Sequence, residues 1–354
     1  MPELRRDTIT GEWVIIASER AKRPSDFASR SLSAEADDDS PCPFCPGNES
    51  LTPPEIMAFR HPGSQRNGPG WWVRVVPNKY PALGIEGDLS KTGFGVYDWM
   101  NGVGAHEVIV ETPEHDRSLA FLDTRQIEDV LWAYRARYLD LKKDPRLKHI
   151  LIFRNHGRVA GASLSHPHSQ LVATPMVPGG VSAELEGARR YLQYRDRCVY
   201  CDMLHQETTQ PERLISENEH FIAFSPYAAK FPFETWLLPR RHGASFAAIA
   251  AEEQSSFAGM LGETLRRLHL CLDDPPYNYS IHTAPCNSDD REDFHWHVQI
   301  FPRLTIAAGF EMGTSIYINV TPPEIAASYL REVDLEAGAA VAERPRVPTE
   351  RETE

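Results

Sequence analysis

The sequence predicts an α+β fold of two modules built on one plan, each a mostly antiparallel sheet with one helix. Apolar runs that alternate as strands do, such as residues 72–76 and 107–111, are separated by Pro, Gly and Asn. One order of features also occurs twice: a Cys-x-x-Cys pair, a strand running toward a histidine, a helix, and a His-x-His-x-Gln motif. We expect the first module over 1–180, the second over 181–335, and a disordered tail over 336–354.

The repeated features follow at matched distances in the two halves. Each strand starts at a glutamate and reaches a histidine eight residues later, from Glu107 to His115 and from Glu234 to His242. Apolar residues at helical intervals predict one helix over 124–142 and another over 251–272. The Asp-Asp-Pro-Pro sequence at 273–276 should end the second helix, because proline disfavours helix in the residue before it.

Composition excludes several classes of function. Lys plus Arg number 37 against 50 for Asp plus Glu, which gives a net charge of −13, and no long basic block occurs. A surface that binds nucleic acid is therefore not expected. Neither a signal-peptide core nor an apolar run long enough to span a bilayer is present, so we expect no membrane association and a cytoplasmic location.

Four of the six cysteines form two closely spaced pairs. Cys42 with Cys45, and Cys198 with Cys201, have the two-residue spacing that lets thiolates converge on a tetrahedral metal. A redox dithiol is the alternative, but it would not require histidines at matched distances in both halves. We favour structural metal sites. Cys271 and Cys286 stand alone and are interpreted as small buried apolar residues.

The first His-x-His motif has the pattern of an active site. On a strand, His166, His168 and Gln170 share a face, and Pro167 places the segment at a strand end or a sheet edge. Gly157 and Gly161 upstream could offer backbone N–H groups to a phosphate. A pair of ordinary polar histidines is the alternative interpretation, and the duplicated framework argues against it.

Several motifs together resemble the galactose-1-phosphate uridylyltransferase family, a duplicated member of the histidine triad superfamily. They are the HPHSQ sequence at 166–170 with Asn155 and Ser163 before it, and the segments 20–24, 76–81 and 309–311. The resemblance spans residues 3–333 and implies two histidine-triad modules. The chain is also similar to the branch that includes plant ADP-glucose phosphorylase, notably at 231–234, 309–311 and 317–319.

The resemblance implies a role for each matching residue. His168 would attack the α-phosphorus of a nucleotide sugar to form a nucleotidyl-histidine, and Gln170 would bond a non-bridging phosphate oxygen. His297 occupies the equivalent place in the second module, but the family uses one nucleophile per chain. Phe310 and Glu311 would lie at the sugar end. The residues implied to bind the nucleotide and its phosphates are Arg20, Arg23, Asn78, Asn155 and Ser163.

The resemblance also implies the metal ligands. The first site would be a structural zinc site formed by Cys42, Cys45, His115 and His166. The second would be formed by Cys198, Cys201, His242 and His295. Some family members instead use a glutamate and three histidines there, for which His282, His295 and His297 are present. Zinc is expected at both sites, with iron as the alternative at the second.

Three functions follow as hypotheses. The leading one is exchange of UMP between UDP-glucose and galactose 1-phosphate in a ping-pong reaction. The second is an ADP-glucose type of phosphorylase, in which inorganic phosphate accepts the nucleotidyl group. The third is a zinc-stabilised nucleotide-binding protein without turnover. The resemblance further implies a homodimer in which each site borrows residues from its neighbour.

Overall fold

The computed structural model describes residues 2–17, 23–28 and 41–336. Arg20 and the tail from 337 onward therefore lie outside the described residues. The strands, in chain order, are β1 (Glu3–Arg6), β2 (Trp13–Ile16), β3 (Met57–Arg60), β4 (Trp71–Pro77), β5 (Thr92–Phe94), β6 (Tyr97–Trp99), β7 (Ala105–Val110), β8 (His149–His156), β9 (His168–Thr174), β10 (Leu214–Glu217), β11 (Phe221–Phe224), β12 (Thr235–Pro239), β13 (Tyr277–His282), β14 (His297–Pro302) and β15 (Tyr317–Asn319). The helices are α1 (Ser25–Ala28), α2 (Thr124–Leu141), α3 (Gly179–Arg195), α4 (Val199–Thr209), α5 (Ala251–Leu272), α6 (Gly309–Thr314) and α7 (Pro323–Arg331).

The centre of the fold is a ten-stranded antiparallel sheet to which both halves of the chain contribute. Its order is β10-β11-β12-β14-β13-β8-β9-β7-β4-β3. Outward from the middle, the first module contributes β8-β9-β7-β4-β3 and the second contributes β13-β14-β12-β11-β10. The two strand sets match one for one, which confirms the predicted α+β fold of two duplicated modules. The boundary at residue 180 stays a prediction.

The two modules meet where β8 pairs with β13. Ile152 lies opposite Ile281 in this ladder, and both are almost fully buried. Phe153 and Ser280 also lie opposite each other, and they are equivalent because they pair with Gln170 and Gln299, so the pseudo-twofold axis passes between them. Because the ladder is continuous across this seam, the two modules share one sheet and one core.

One face of the sheet, here called the helix face, is covered by the two predicted helices. α2 buries a stripe formed by Ile127, Val130, Leu131, Tyr134 and Tyr138, and α5 packs beside it. Asp123 caps α2 by accepting a hydrogen bond from the Gln126 backbone N–H. α5 ends where Asp273 and Asp274 adopt positive φ angles of 56° and 52°. The structure thus confirms both helices close to their predicted bounds.

The other face, here called the open face, carries the His-x-His motifs. Over the second module it is lined by α3, by the β1–β2 hairpin and by β15. β1, β2 and β15 form a small separate sheet, in which β15 pairs with β2 in parallel. The sequence analysis did not predict α3 and α4, whose buried apolar stripes are narrow.

One detail of the predicted duplication was wrong. The ladder places Val108 opposite Gln170 and Trp236 opposite Gln299, so Val108 and Trp236 are the matching residues. Glu234 then lies on the open face. Glu107 instead points to the helix face, where its carboxylate accepts a hydrogen bond from Arg137 Nε of α2 at 2.7 Å. Strand register depends on cross-strand pairing, which a count of residues along one chain does not give.

No helix in the described part of the chain is both long enough and apolar enough to cross a membrane.

Because the two modules share one sheet, we expect them to unfold in one cooperative transition. Ile281→Ala should lower the free energy of unfolding by about 2–5 kcal/mol, since it leaves a cavity at the seam. Urea titration followed by tryptophan fluorescence and by far-UV circular dichroism should give coincident curves. Ile325→Ala, at a residue that is 46% exposed, is the control and should change little. Two separate transitions, only one of them moved by Ile281→Ala, would contradict the shared core.

Candidate active site

The His-Pro-His segment lies where β9 begins. β9 is a central strand between β8 and β7, so Pro167 marks a strand end and not a sheet edge. The Pro167 carbonyl accepts a hydrogen bond from the Glu111 backbone N–H at 3.1 Å. Proline fits at this position because the ladder needs no N–H from it. The next residue, His168, is the first of the strand and points to the open face.

His168 is held in one tautomer. Its Nδ1–H donates to the His166 carbonyl at 2.8 Å, which leaves the lone pair on Nε2. The ring is only 6% exposed, and burial lowers its pKa below the ordinary histidine value, so the neutral form predominates at pH 7. A neutral imidazole with a free Nε2 is the form that acts as a nucleophile.

One row of side chains crosses the sheet beside His168. Val110 of β7 lies opposite His168, and Phe153 of β8 lies opposite Gln170. Asn155 is two residues beyond Phe153, so it shares the open face with both predicted catalytic residues. The first module therefore brings His168, Gln170 and Asn155 together.

His106, which no sequence motif indicated, orients Gln170. The Ala82 backbone N–H donates to His106 Nδ1 at 3.2 Å, so His106 Nε2 carries the proton and donates to Gln170 Oε1 at 2.8 Å. The amide nitrogen of Gln170 is then left as a donor. Asn78 approaches the same ring, with Nδ2 at 3.1 Å from His106 Nε2. The period-2 pattern of β7 places His106 and Val108 on one face and could have indicated this role.

A short loop between β8 and β9 lies beside this row. Gly157 and Gly161 have φ angles of 78° and 92°, a region that disfavours other residues. The loop closes on itself because the Ala162 N–H donates to the Gly157 carbonyl at 3.2 Å. Ser163 follows and is exposed. This geometry agrees with a loop that offers polar groups to a ligand.

Other predicted binding residues lie elsewhere. Arg23 is exposed at the start of the described segment 23–28. Phe310 and Glu311 lie on α6, which contacts β15 on the second module's side of the molecule. The Glu311 carboxylate accepts a hydrogen bond from the Ala308 N–H at 2.9 Å and so caps its own helix.

On the helix face, a buried polar network lies behind the His168 strand. Arg154 and Glu111 form an ion pair at 3.0 Å, and both side chains are almost fully buried. The hydroxyl of Ser169, next to His168, donates to the Glu111 carboxylate, and Tyr134 joins through the same hydroxyl. The network ties β9 to β7, β8 and α2, so the strand that carries His168 is held from the helix face.

The first predicted metal cluster converges. The ligand atoms of Cys42, Cys45, His115 and His166 all lie within 4.8 Å of one another. Cys45 Sγ is 3.3 Å from His115 Nδ1 and 3.6 Å from His166 Nδ1. His166 Nε2 donates to the Thr112 carbonyl at 2.8 Å, which directs Nδ1 to the thiolates. Two thiolates and two imidazoles are a donor set that fits a tetrahedral metal ion.

The second cluster converges in the same way. Cys198, Cys201, His242 and His295 also have ligand atoms within 4.8 Å of one another. Cys201 Sγ is 3.4 Å from His242 Nδ1, and His242 Nε2 is 3.3 Å from the Arg291 carbonyl. Hydrogen bonding to Cys198 raises the pKa of His242. This set could hold a metal ion.

A third group at the second module contains part of the alternative ligand set, because His295 belongs to the cysteine cluster. Glu184, His282 and His297 have ligand atoms within 4.8 Å of one another. Glu184, which the sequence analysis did not identify, lies on α3 and accepts a hydrogen bond from His282 Nδ1 at 3.0 Å. The chain therefore carries both the cysteine set and a glutamate–histidine set.

In the second module the residue equivalent to His168 is His297, and neighbouring side chains occupy the space around its ring. His297 is fully buried between Trp236 and His282, with ring centroids 4.9 and 4.8 Å away and near-parallel planes. Burial lowers the pKa of His297 to about 3. The first module has Val108 where the second has Trp236, so no indole ring from that position lies over His168. The tryptophan therefore blocks approach of a phosphate to His297.

Comparison with known proteins gives the family context. The chain matches the model of the galactose-1-phosphate uridyl transferase N-terminal domain over residues 1–178 and that of the C-terminal domain over residues 184–337. It is 38% identical over 338 residues to ADP-glucose phosphorylase of Arabidopsis thaliana, covering 94% of this chain and 93% of the relative. It is 30% identical over 346 residues to galactose-1-phosphate uridylyltransferase of Thermotoga maritima, covering 95% and 100%.

A solved structure agrees with this similarity. The crystal structure of an ADP-glucose phosphorylase from Arabidopsis thaliana with bound ADP-glucose superposes with a TM-score of 0.80 at 36% identity, covering 95% of this chain and 99% of that one. The likeness extends over both modules.

The cluster geometry predicts two bound metal ions per chain. Cys45→Ala and Cys201→Ala should each remove one, because a tetrahedral site that loses a thiolate binds its ion much more weakly. Elemental analysis of purified protein after dialysis against a weak chelator would measure the loss. Cys271→Ala is the control, since Cys271 belongs to neither cluster. If Cys45→Ala retained the full metal content, the first site would be assigned incorrectly.

Proposed function

This chain belongs to the galactose-1-phosphate uridylyltransferase family, and from that premise we propose that it transfers a nucleotidyl group from a nucleotide sugar through a covalent bond to His168. The observation that carries the proposal is the hydrogen bond from His168 Nδ1–H to the His166 carbonyl. It leaves Nε2 as the free nucleophilic atom of a neutral ring. Enzymes commonly split one difficult displacement into two through such an intermediate.

The reaction has two displacements at phosphorus. In the first, the Nε2 lone pair of His168 forms a bond to the α-phosphorus, and the bond from phosphorus to the bridging oxygen breaks. Hexose 1-phosphate leaves with that electron pair. In the second, a phosphate oxygen of the acceptor bonds to the same phosphorus, the nitrogen–phosphorus bond breaks, and neutral His168 is restored.

Neighbouring groups would stabilise the charge on the phosphoryl oxygens. The Gln170 amide nitrogen, directed by His106, would donate to a non-bridging oxygen. Asn155 lies on the same face and would donate to the phosphates, with Ser163 and the N–H groups of the glycine loop nearby. Arg20, Arg23 and Asn78 are proposed to contact the nucleotide and phosphates as well.

For the substrates, we propose UDP-glucose as donor and galactose 1-phosphate as acceptor, the pair that the family name indicates. An ADP-glucose phosphorylase is the second candidate. One observation favours it: the chain is 38% identical to the Arabidopsis thaliana phosphorylase and 30% identical to the Thermotoga maritima uridylyltransferase. The two candidates share the His168 step and differ in the donor base and in the acceptor.

Zinc is the proposed metal at both cysteine clusters, with iron as the alternative at the second. Thiolate and imidazole ligands suit zinc, and four protein ligands leave no open position for a substrate. When bound, the ion would supply rigidity to its site. In the first cluster His166 is both a ligand and the residue whose carbonyl holds His168, so the site fixes the nucleophile. Free thiols of this kind favour a reducing location, the cytoplasm.

We also propose that two chains pair. The support is the position of Phe310 and Glu311 on the second module, away from the row that contains His168. If these residues bind the sugar, as the family resemblance implies, a neighbouring chain would bring them to this site.

The covalent step predicts a change in protein mass. The wild type mixed with UDP-glucose or with ADP-glucose, without acceptor, should gain one nucleotidyl group, and His168→Ala should gain none. Intact-protein mass spectrometry at neutral pH measures it. His205→Ala, which removes an exposed histidine, should behave like the wild type.

The donor distinguishes the candidates. A uridylyl adduct favours the uridylyltransferase, and an adenylyl adduct favours the phosphorylase. If metal-replete protein formed an adduct with neither donor, the covalent mechanism would be rejected and a nucleotide-binding protein without turnover would replace it.

The Gln170 side chain should act mainly on the chemical step. Gln170→Ala is expected to slow adduct formation by about 100-fold, because it removes a donor to the charge that develops on phosphorus. The donor concentration giving half-maximal rate should change much less. Rapid-quench measurements over a range of donor concentrations separate the two effects. A large rise in that concentration with an unchanged maximal rate would instead assign Gln170 to substrate binding.

A further inference from the structure

One side chain of the second module reaches into the first module's site. Asn278 lies on β13, directly opposite Asn155 in the ladder that joins the modules. Its Nδ2 group donates to Asn155 Oδ1 at 2.8 Å and to the Ala160 carbonyl at 2.7 Å. A single amide thus holds both a residue of the His168 row and the loop over 157–162.

These two bonds determine which way the Asn155 amide faces. The Ala160 carbonyl can only accept a hydrogen bond, so the Asn278 atom that meets it must be the nitrogen. The other hydrogen on that nitrogen must then meet an acceptor, which fixes Asn155 Oδ1 at that position. Asn155 Nδ2 is therefore left as a donor, and it lies beside Gly161 of the loop.

The second module also supports the loop by packing. A Cβ atom on Gly157 would come within 3.0 Å of Pro276, the residue just before β13. Together, Pro276 and Asn278 hold the start and the middle of the loop in place. The conformation of the loop over 157–162 thus depends on residues from the other half of the chain.

The duplicated position does not make the same contact. Asn278 lies two residues before Ser280, and Leu151 lies two residues before Phe153, the match of Ser280, so Leu151 is the residue equivalent to Asn278. A leucine side chain has no hydrogen-bonding group and cannot make this contact. The cross-module amide therefore occurs on the side of His168 and not on the side where Trp236 closes the second site.

We propose that Asn278 is a positioning residue through which the second module takes part in nucleotidyl transfer. It orients Asn155 Nδ2 and the loop over 157–162 toward the phosphates of a nucleotide sugar at His168. This inference rests on the proposed function. It gives the second module a role in the reaction, although Trp236 covers that module's own histidine, His297.

A double-mutant cycle tests this role. Asn278→Ala and Asn155→Ala should each slow the maximal rate of adduct formation by about 10- to 100-fold, because a misdirected donor no longer meets the phosphate. If Asn278 acts through Asn155, the double variant should be within about threefold of Asn155→Ala alone. Fully multiplicative effects, or an Asn278→Ala rate within about twofold of the wild type, would overturn the proposal.

An isosteric variant removes the effect of a cavity. Asn278→Asp keeps the shape but presents two acceptors to Asn155 Oδ1 and the Ala160 carbonyl, so it should be at least as slow as Asn278→Ala. A wild-type rate in Asn278→Asp would reject the orienting role. Asn218→Ala is the control, because Asn218 bonds the Phe221 N–H after the distant β10–β11 turn and the Ser256 carbonyl of α5, and it should keep the full rate.

The outcome also separates this inference from the proposed function. If the wild type forms the adduct and Asn278→Ala forms it at the same rate, only the inference fails. If the wild type forms no adduct with UDP-glucose or ADP-glucose, both fail. Thermal unfolding of every variant identifies any loss of rate that comes from loss of folded protein.

Discussion

The site depends on the hydrogen bond from His168 Nδ1–H to the carbonyl of His166. It sets the tautomer of His168, and its acceptor belongs to a residue whose ring lies in the first metal cluster. The His166 ring is fixed in turn by the Thr112 carbonyl at its other nitrogen. The His168 ring is therefore positioned by linked contacts. They run from the Thr112 carbonyl, through the His166 ring in the Cys-His cluster, to the His166 carbonyl that accepts from His168 Nδ1–H. On the helix face, the Arg154–Glu111 pair and Ser169 hold the same strand.

Duplication gives the two modules the same strands and similar Cys-His clusters but different open faces. Val108 and Trp236 occupy one ladder position, and from that position only Trp236 stacks an aromatic ring on the histidine of its module. Asn278 and Leu151 occupy another matched pair, and only the asparagine can donate a hydrogen bond across the seam. The second module thus has its own histidine covered, but it supplies half of the shared sheet and the amide that holds the loop over 157–162.

Local patterns predicted much of this structure. Apolar spacing located α2 and α5, and Pro167 predicted a strand end or a sheet edge, of which the structure has the strand end. Spacing of cysteines and histidines predicted two clusters whose atoms converge. Features that depend on pairing between distant strands could not be predicted from the sequence. The register that matches Val108 with Trp236, the approach of Glu184 from α3, the His106–Gln170 bond and the Asn278 contact all join residues far apart in sequence. A repeat found in one sequence identifies equivalent segments. The face to which each side chain points depends on the hydrogen-bond register between strands, which the repeat does not give.

In the proposed reaction one particular nitrogen, Nε2 of His168, bonds to phosphorus, and the second module provides none. Tandem mass spectrometry can locate the nucleotidyl group on peptides from protein quenched soon after mixing with donor, under alkaline conditions that preserve phosphohistidine bonds. We expect the whole label on His168 and none on His166, His295 or His297. Label on His297, or shared between the two modules, would show that Trp236 does not close the second site and that His168 is not the single nucleophile.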